Sequence, residues 1–155
     1  WMIKKYKFIT YILFILLVGC GYNSVLHDNS SNFSIASIDT SGDGNINDNI
    51  LINLENYINN SEKEKKYFLK INSIENKNVT SKDEKGDPKT YNIEIKTTIE
   101  VSDISGDVKK KKFIEKKNYN TMSSKFDLNL YEKNLKKNIA NIIARKISIY
   151  LSSLD

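Results

Sequence analysis

Cys20 carries the one thiol in this 155-residue chain. It follows a small residue, in the run Leu17-Val18-Gly19-Cys20. As the sole thiol it is the strongest candidate in the chain for covalent modification, and the residues around it decide of what kind. Few other residues are candidates for chemistry. His27 is the only histidine and lies in a polar, aperiodic stretch. Asp83, Glu84 and Asp87 are grouped inside a charged turn, where a solvated charge run is the plainer reading than acid–base catalysis. Asp39-Thr40-Ser41-Gly42-Asp43-Gly44-Asn45-Ile46 imitates a calcium loop, with oxygens at positions one, three and five, glycine at six and an aliphatic residue at eight. Ile50 stands where a bidentate carboxylate should close that loop, so no metal is expected there. No nucleophile elbow, phosphate loop or metal-ligand cluster appears. Apart from Cys20, the chain has no thiol. The expectation is a non-enzyme with no cofactor.

The elements around Cys20 suit its proposed chemistry. Lys4, Lys5 and Lys7 form a positive leader start, and Phe8 to Val18 are apolar except for Thr10. This order is that of a secretory signal peptide. The run falls well short of the ~20 residues that span a bilayer as a helix. Ending in cysteine, it resembles the bacterial lipobox, and the resemblance implies that the thiol takes a diacylglycerol, the peptide is cut before the cysteine and the freed amino group is acylated. Residues 1–19 are therefore expected to be the signal peptide, Cys20 the lipid anchor, 20–32 a tether and 33–155 a single domain. One acyl chain holds a protein only marginally, whereas several on one residue anchor it durably. Gly21, where an aspartate would favour inner-membrane retention, points to outer-membrane sorting. The rest of the chain has no cysteine, hence no disulfide framework.

The net charge of +5 conceals an asymmetry. From Cys20 to Val108 there are nine basic and fifteen acidic residues, net −6; from Lys109 to Asp155 there are twelve basic and four acidic, net +8. The C-terminal third therefore suits an anionic partner. Its densest part is Lys109-Lys110-Lys111-Lys112, with Lys116 close behind. Two readings of the tract stand side by side: contact with an anionic ligand, and protection of a strand edge. Arg145 is the sole arginine, so bidentate phosphate recognition is not the pattern here. Nucleic acid is not an expected partner, because no aromatic stacking platform accompanies the charge and the leader directs the chain out of the cytoplasm.

The elements that position these residues follow from periodicity. Phe33 to Ile38 alternate as a short strand. Asp39 to Asn49 are rich in turn formers and predict a loop with helix N-caps. Ile50, Leu51, Leu54, Tyr57 and Ile58 recur at helical spacing, ending at Asn59-Asn60-Ser61. Tyr67 to Ile74 predict a second strand, followed by a charged turn around Gly86-Asp87-Pro88. In the third, Tyr91, Ile93, Ile95, Thr97, Ile99 and Val101 face one way while polar residues face the other. Ser105-Gly106-Asp107 turns the chain into a fourth strand, Val108 to Tyr119. A long amphipathic helix, about Leu128 to Leu154, closes the chain. Its stripe runs through Leu135, Ile139, Ile143, Ile147 and Leu151, with Ala140 and Ala144 permitting close approach. The predicted fold class is α+β: a two-layer sandwich, with a sheet of about four strands and two helices on one face, in the order β-α-β-β-β-α.

Three features together resemble the LPS-assembly lipoprotein family, LptE. They are Leu17-Val-Gly-Cys20-Gly-Tyr22, the element order, and the run Phe126-Asp-Leu-Asn-Leu-Tyr131-Glu132-Lys-Asn-Leu135-Lys-Lys-Asn-Ile139-Ala140 continuing to Ile142-Ile-Ala144-Arg145-Lys-Ile147. Asn23-Ser-Val25 departs from the proline-containing stretch common in the family. The resemblance implies an outer-membrane lipoprotein that plugs the LptD barrel, helps it assemble and aids delivery of lipopolysaccharide to the outer leaflet. The expected partners are then LptD, lipopolysaccharide and, through the N-terminal lipid, the outer membrane. The lysines that would meet glycolipid phosphates are Lys109, Lys110, Lys111, Lys112 and Lys116. A periplasm-facing scaffold of another envelope complex, without glycolipid binding, is the alternative.

Overall fold

Strict alternation over eleven residues demands a strand with one dry face, and Tyr91 to Val101 form the middle of such a strand. The chain divides into two units, Trp1–Ser30 and Ser31–Asp155. The structure, a computed structural model, describes residues 32–58 and 63–154, all within the second unit. The expected signal peptide, Cys20 and the tether up to Ser31 lie outside the described residues. The order of elements is β1 (Phe33–Gly42), α1 (Gly44–Leu54), a 3-10 turn (Glu55–Tyr57), β2 (Lys65–Lys82), β3 (Pro88–Ser102), β4 (Val108–Asn120) and α2 (Lys125–Ser152). The strands form one mixed sheet in spatial order β1-β2-β3-β4. β1 runs parallel to β2, and the remaining pairs are antiparallel. The parallel pair needs a crossover, which α1 supplies.

The predicted α+β order is the observed one. On β3, Ile93, Ile95, Thr97, Ile99 and Val101 are buried, and their neighbours are half-buried. They meet Leu69 and Ile71 of β2, Phe113 and Tyr119 of β4, and the helices' apolar faces. Thr97 and Ser73 are polar but buried; their hydroxyls satisfy each other across β2 and β3 at 2.9 Å. The expected α2 stripe buries Ile139, Ala140, Ile143, Ala144, Ile147 and Leu151, while Leu135 packs partly buried beside it.

Three local expectations are corrected. Asp39–Asn49 is not a loop: β1 continues to Gly42 and α1 starts at Gly44. Asp39, Thr40 and Ser41 pair in register with Lys70, Ile71 and Asn72, so their polarity reflects exposure rather than turning. The reversal is confined to Gly42, at φ +83, and Asp43, whose side chain caps α1 through the Ile46 N–H at 3.1 Å. The helix also ends earlier than periodicity predicts. Ile58 is extended and bridges Ile35 on the outer side of β1. Finally, β2 runs to Lys82 instead of stopping at Ile74. Glu75 and Lys77 stay in its ladder because α2 offers each a partner: Lys136 Nζ lies 2.7 Å from Glu75 and Glu132 Oε1 lies 2.5 Å from Lys77 Nζ.

Candidate functional site

β4 is an edge strand, paired on one side with β3. Alternation distributes its lysines over both faces of the sheet. Lys110, Lys112 and Lys116 sit on the open face, opposite Glu100, Thr98 and Glu94 of β3. Lys109 and Lys111 sit on the helix side, opposite Val101 and Ile99. The five predicted contact residues therefore do not form one patch. Lys110 reaches Glu100 at 2.8 Å, and Lys116 reaches Glu94 at 2.5 Å. Lys111 lies over the Tyr150 ring of α2, 5.7 Å from its centroid. Among the described residues, no ion pair or ring contact engages Lys109 or Lys112. On the same strand, Glu115 is ion-paired with Lys146 of α2. The charge run thus splits into two exposed lysines paired with glutamates of β3, one lying over a ring, and two without an ion pair or ring contact among the described residues.

Glu94 receives Lys116 from one side and Lys96, at 2.6 Å, from the other. Hydrogen bonds from Lys116 and then Lys96 hold its carboxyl at about 2, against an ordinary 4.5. The pairing with Lys110 likewise lowers Glu100. A depressed carboxyl contributes stability above its unfolded pKa and loses it as pH falls through the folded one. Unfolding titrations should therefore show the wild type losing stability between pH 4.5 and about 2, more steeply than Glu94→Gln. Identical acid limbs would mean the two lysines do not act on Glu94.

A second polar group, hidden from the sequence reading, lies between the sheet and the first half of α2. Tyr119 OH donates to Glu132 at 2.9 Å, and Lys77 donates to the same oxygen. Lys77 also lies over the Tyr91 ring at 4.5 Å, and Tyr91 stacks on Tyr119. Burial, followed by the neighbouring Glu132, pushes the Tyr119 phenol up. Burial opposes ionisation of Glu132, but the hydrogen bonds from Lys77 and Tyr119 outweigh it and lower its pKa. The arrangement holds a charged carboxylate and a neutral phenol in fixed roles, and it ties α2 to β2 and β4. The available signal was continuation of the period-two pattern of β2 through Ser73, Glu75 and Lys77, matched by Glu132 and Lys136 one helical turn apart.

Among the described residues, no group of three or more His, Cys, Asp or Glu is placed to hold a metal ion. The calcium-like segment is split between a strand and a helix cap, with the Asp43 carboxylate turned to Ile46. No helix among the described residues is long and apolar enough to cross a membrane.

No family model and no curated protein matches the chain. Solved structures do. A minor lipoprotein from Acinetobacter baumannii superposes with a TM-score of 0.59 at 12% identity, over 78% of this chain and 92% of that one. Rare lipoprotein B from Shewanella oneidensis gives 0.58 at 12% identity, over 78% and 98%. An uncharacterized lipoprotein B from Nitrosomonas europaea gives 0.55 at 14% identity, over 77% and 85%. Rare lipoprotein B is the LptE family. The chain therefore has an LptE-like fold, as the sequence resemblance implied.

Proposed function

We propose that this chain is an outer-membrane lipoprotein of the lipopolysaccharide transport machinery. In this reading Cys20 carries the lipid, and the α+β domain sits as a plug in the LptD barrel, supports the barrel's assembly and aids delivery of lipopolysaccharide. The observation that carries the proposal is the LptE-like fold standing behind a lipobox-like leader. Most of each matched lipoprotein's length is accounted for by this chain. The electrostatics are compatible with the role. The C-terminal third holds net +8 and supplies the exposed strand β4. Lysine can hold phosphate as a point charge.

Within the tract, the contacts separate the residues by availability. Lys109 and Lys112 need break no ion pair to meet a glycolipid phosphate, and Lys111 need leave only a tyrosine ring. Lys110 and Lys116 would have to leave Glu100 and Glu94. Replacing Lys109, Lys111 and Lys112 together by serine should therefore weaken lipopolysaccharide binding several-fold and flatten its salt dependence, because the proposed attraction is between screened surface charges. Replacing Lys110 and Lys116 should do less. Calorimetric titration with purified lipopolysaccharide at two ionic strengths checks both. Unchanged binding in the triple variant would leave the tract as edge protection alone.

A further inference from the structure

The turn between β3 and β4 is built to present an aliphatic side chain outward. Asp103 accepts hydrogen bonds from the Ser105 N–H at 2.9 Å and the Ser105 hydroxyl at 2.5 Å, and its carbonyl accepts from Gly106 N–H at 3.2 Å. Gly106 takes φ +87, which closes the turn. Ile104 at its tip is 77% exposed, and Val108 just past it is 65% exposed. Phe68, 42% exposed, shares the last row of the open face with Ser102 and Val108. The next row inward is Lys70, Glu100 and Lys110, followed by a row ending in Lys112. An apolar tip is thus backed by a collar of lysines. Glu100 is paired with Lys110, while Asp39, Glu64, Asp103 and Asp107 are the other acidic residues at this end among the described residues, Asp103 held in the turn by the Ser105 donors.

The position of this tip in the fold matters. β1 starts at Phe33 beside Lys65, so the chain enters the domain at the end where β3 turns into β4. A shallow cleft of about 330 Å³ at that end is lined by Lys65, Ile104, Ser105 and Leu154. The β2–β3 turn and the start of α2 are at the other end, ~50 Å away along a strand of fifteen residues. Twelve residues separate Cys20 from Phe33, a reach of at most ~45 Å.

We infer that this end of the domain docks on an anionic phospholipid surface, with Ile104 and Val108 entering the headgroup region and Lys109 and Lys112 meeting lipid phosphates, joined by Lys110 as it exchanges Glu100 for a phosphate. The inference rests on the lipid-anchor part of the proposed function, which brings the bilayer within reach of this end. An acyl anchor plus an apolar tip and basic residues makes a two-signal attachment and fixes which end faces the bilayer. Isolated exposed aliphatic residues need no explanation, but Ile104 on the turn and Val108 at the start of β4, backed by lysines, do.

The test uses the full chain with Trp1→Phe and Ile104→Trp, so that position 104 carries the only indole. A companion carries Phe126→Trp, at the opposite end, instead. Each is bound to vesicles of phosphatidylcholine with brominated acyl chains, with and without phosphatidylglycerol. The same preparations are assayed for an alkyne fatty acid at Cys20, with Cys20→Ala as the unlabelled control. The indole at 104 should lose about half its emission on phosphatidylglycerol vesicles and recover it at high salt, whereas the indole at 126 should not respond. Adding Lys109→Ser, Lys110→Ser and Lys112→Ser should abolish quenching at 104. Acyl labelling without quenching at 104 would overturn docking and leave the anchor standing. Quenching without labelling would do the reverse. Equal quenching at 104 and 126, quenching indifferent to the three lysines, or quenching that requires added lipopolysaccharide would each overturn the proposal.

Discussion

Ile139→Ala is expected to destabilise the domain by about 2–5 kcal/mol, the range for truncating a buried aliphatic side chain. Ile139 is wholly buried on the α2 face that closes the core. Ala140 beside it is equally buried, and α1 comes near enough for Asn53 to bond Asn141 at 2.8 Å. A site hemmed in by a second helix and the sheet has little room to collapse around a cavity, which favours the upper part of the range. A domain of this size has only ~5–15 kcal/mol in total, so the melting temperature should fall by roughly 10 °C or more. Lys137→Ala, on the exposed face, is the control. Lys136 would not serve, because its ammonium pairs with Glu75. Equal small effects of Ile139→Ala and Lys137→Ala in thermal melts would mean that α2 does not close the core.

Gly42→Ala should cost as much without removing an atom. Gly42 has φ +83, where a non-glycine residue pays ~1–2 kcal/mol. A Cβ at that position would lie 2.1 Å from the Ser73 carbonyl oxygen and 2.7 Å from Asn72 Oδ1. The first of these is backbone of the central strand β2, so relief requires β1 and β2 to move apart, adding ~1–3 kcal/mol. The same shift would lengthen the 2.8 Å hydrogen bond from Asp43 N–H to the Ser73 carbonyl, which seats the start of α1. Gly86 separates the two terms, for it has φ +88 but nothing within 4 Å of its Cβ position. Denaturant unfolding should therefore rank Gly42→Ala well below Gly86→Ala in stability. Comparable losses at the two glycines would show that the close approach to Ser73 plays no part.

Those two positions also mark what could be read from the chain. Ile139 belongs to a long stripe of period 3.6, and such a pattern is legible because the helix must bury it somewhere. The β3 alternation was legible for the same reason. Gly42 was not, because the seven turn-forming residues from Asp39 to Asn45 carry no sign of which one turns. Partnership in the sheet decided that Asp39–Ser41 extend and that the reversal falls on Gly42 and Asp43. The end of β2 was misplaced for a related reason. Glu75 and Lys77 read as solvated charges until α2 places Lys136 and Glu132 above them. The basic tract was found correctly as a run of charge and as part of an exposed strand. Its division into engaged and available lysines depends on Glu94, Glu100 and Tyr150, residues from three other places in the sequence that only the register and the helix position bring near.

The central claim is that this domain works inside an outer-membrane barrel. Its most direct test is affinity purification of the tagged full chain from outer membranes solubilised in mild detergent, followed by identification of what comes with it. The account predicts a single large β-barrel protein in about equal amount, retained at high salt because a plug is held by packing rather than by screened charge alone. Recovery of the chain by itself, or with a periplasmic assembly and no barrel, would contradict it.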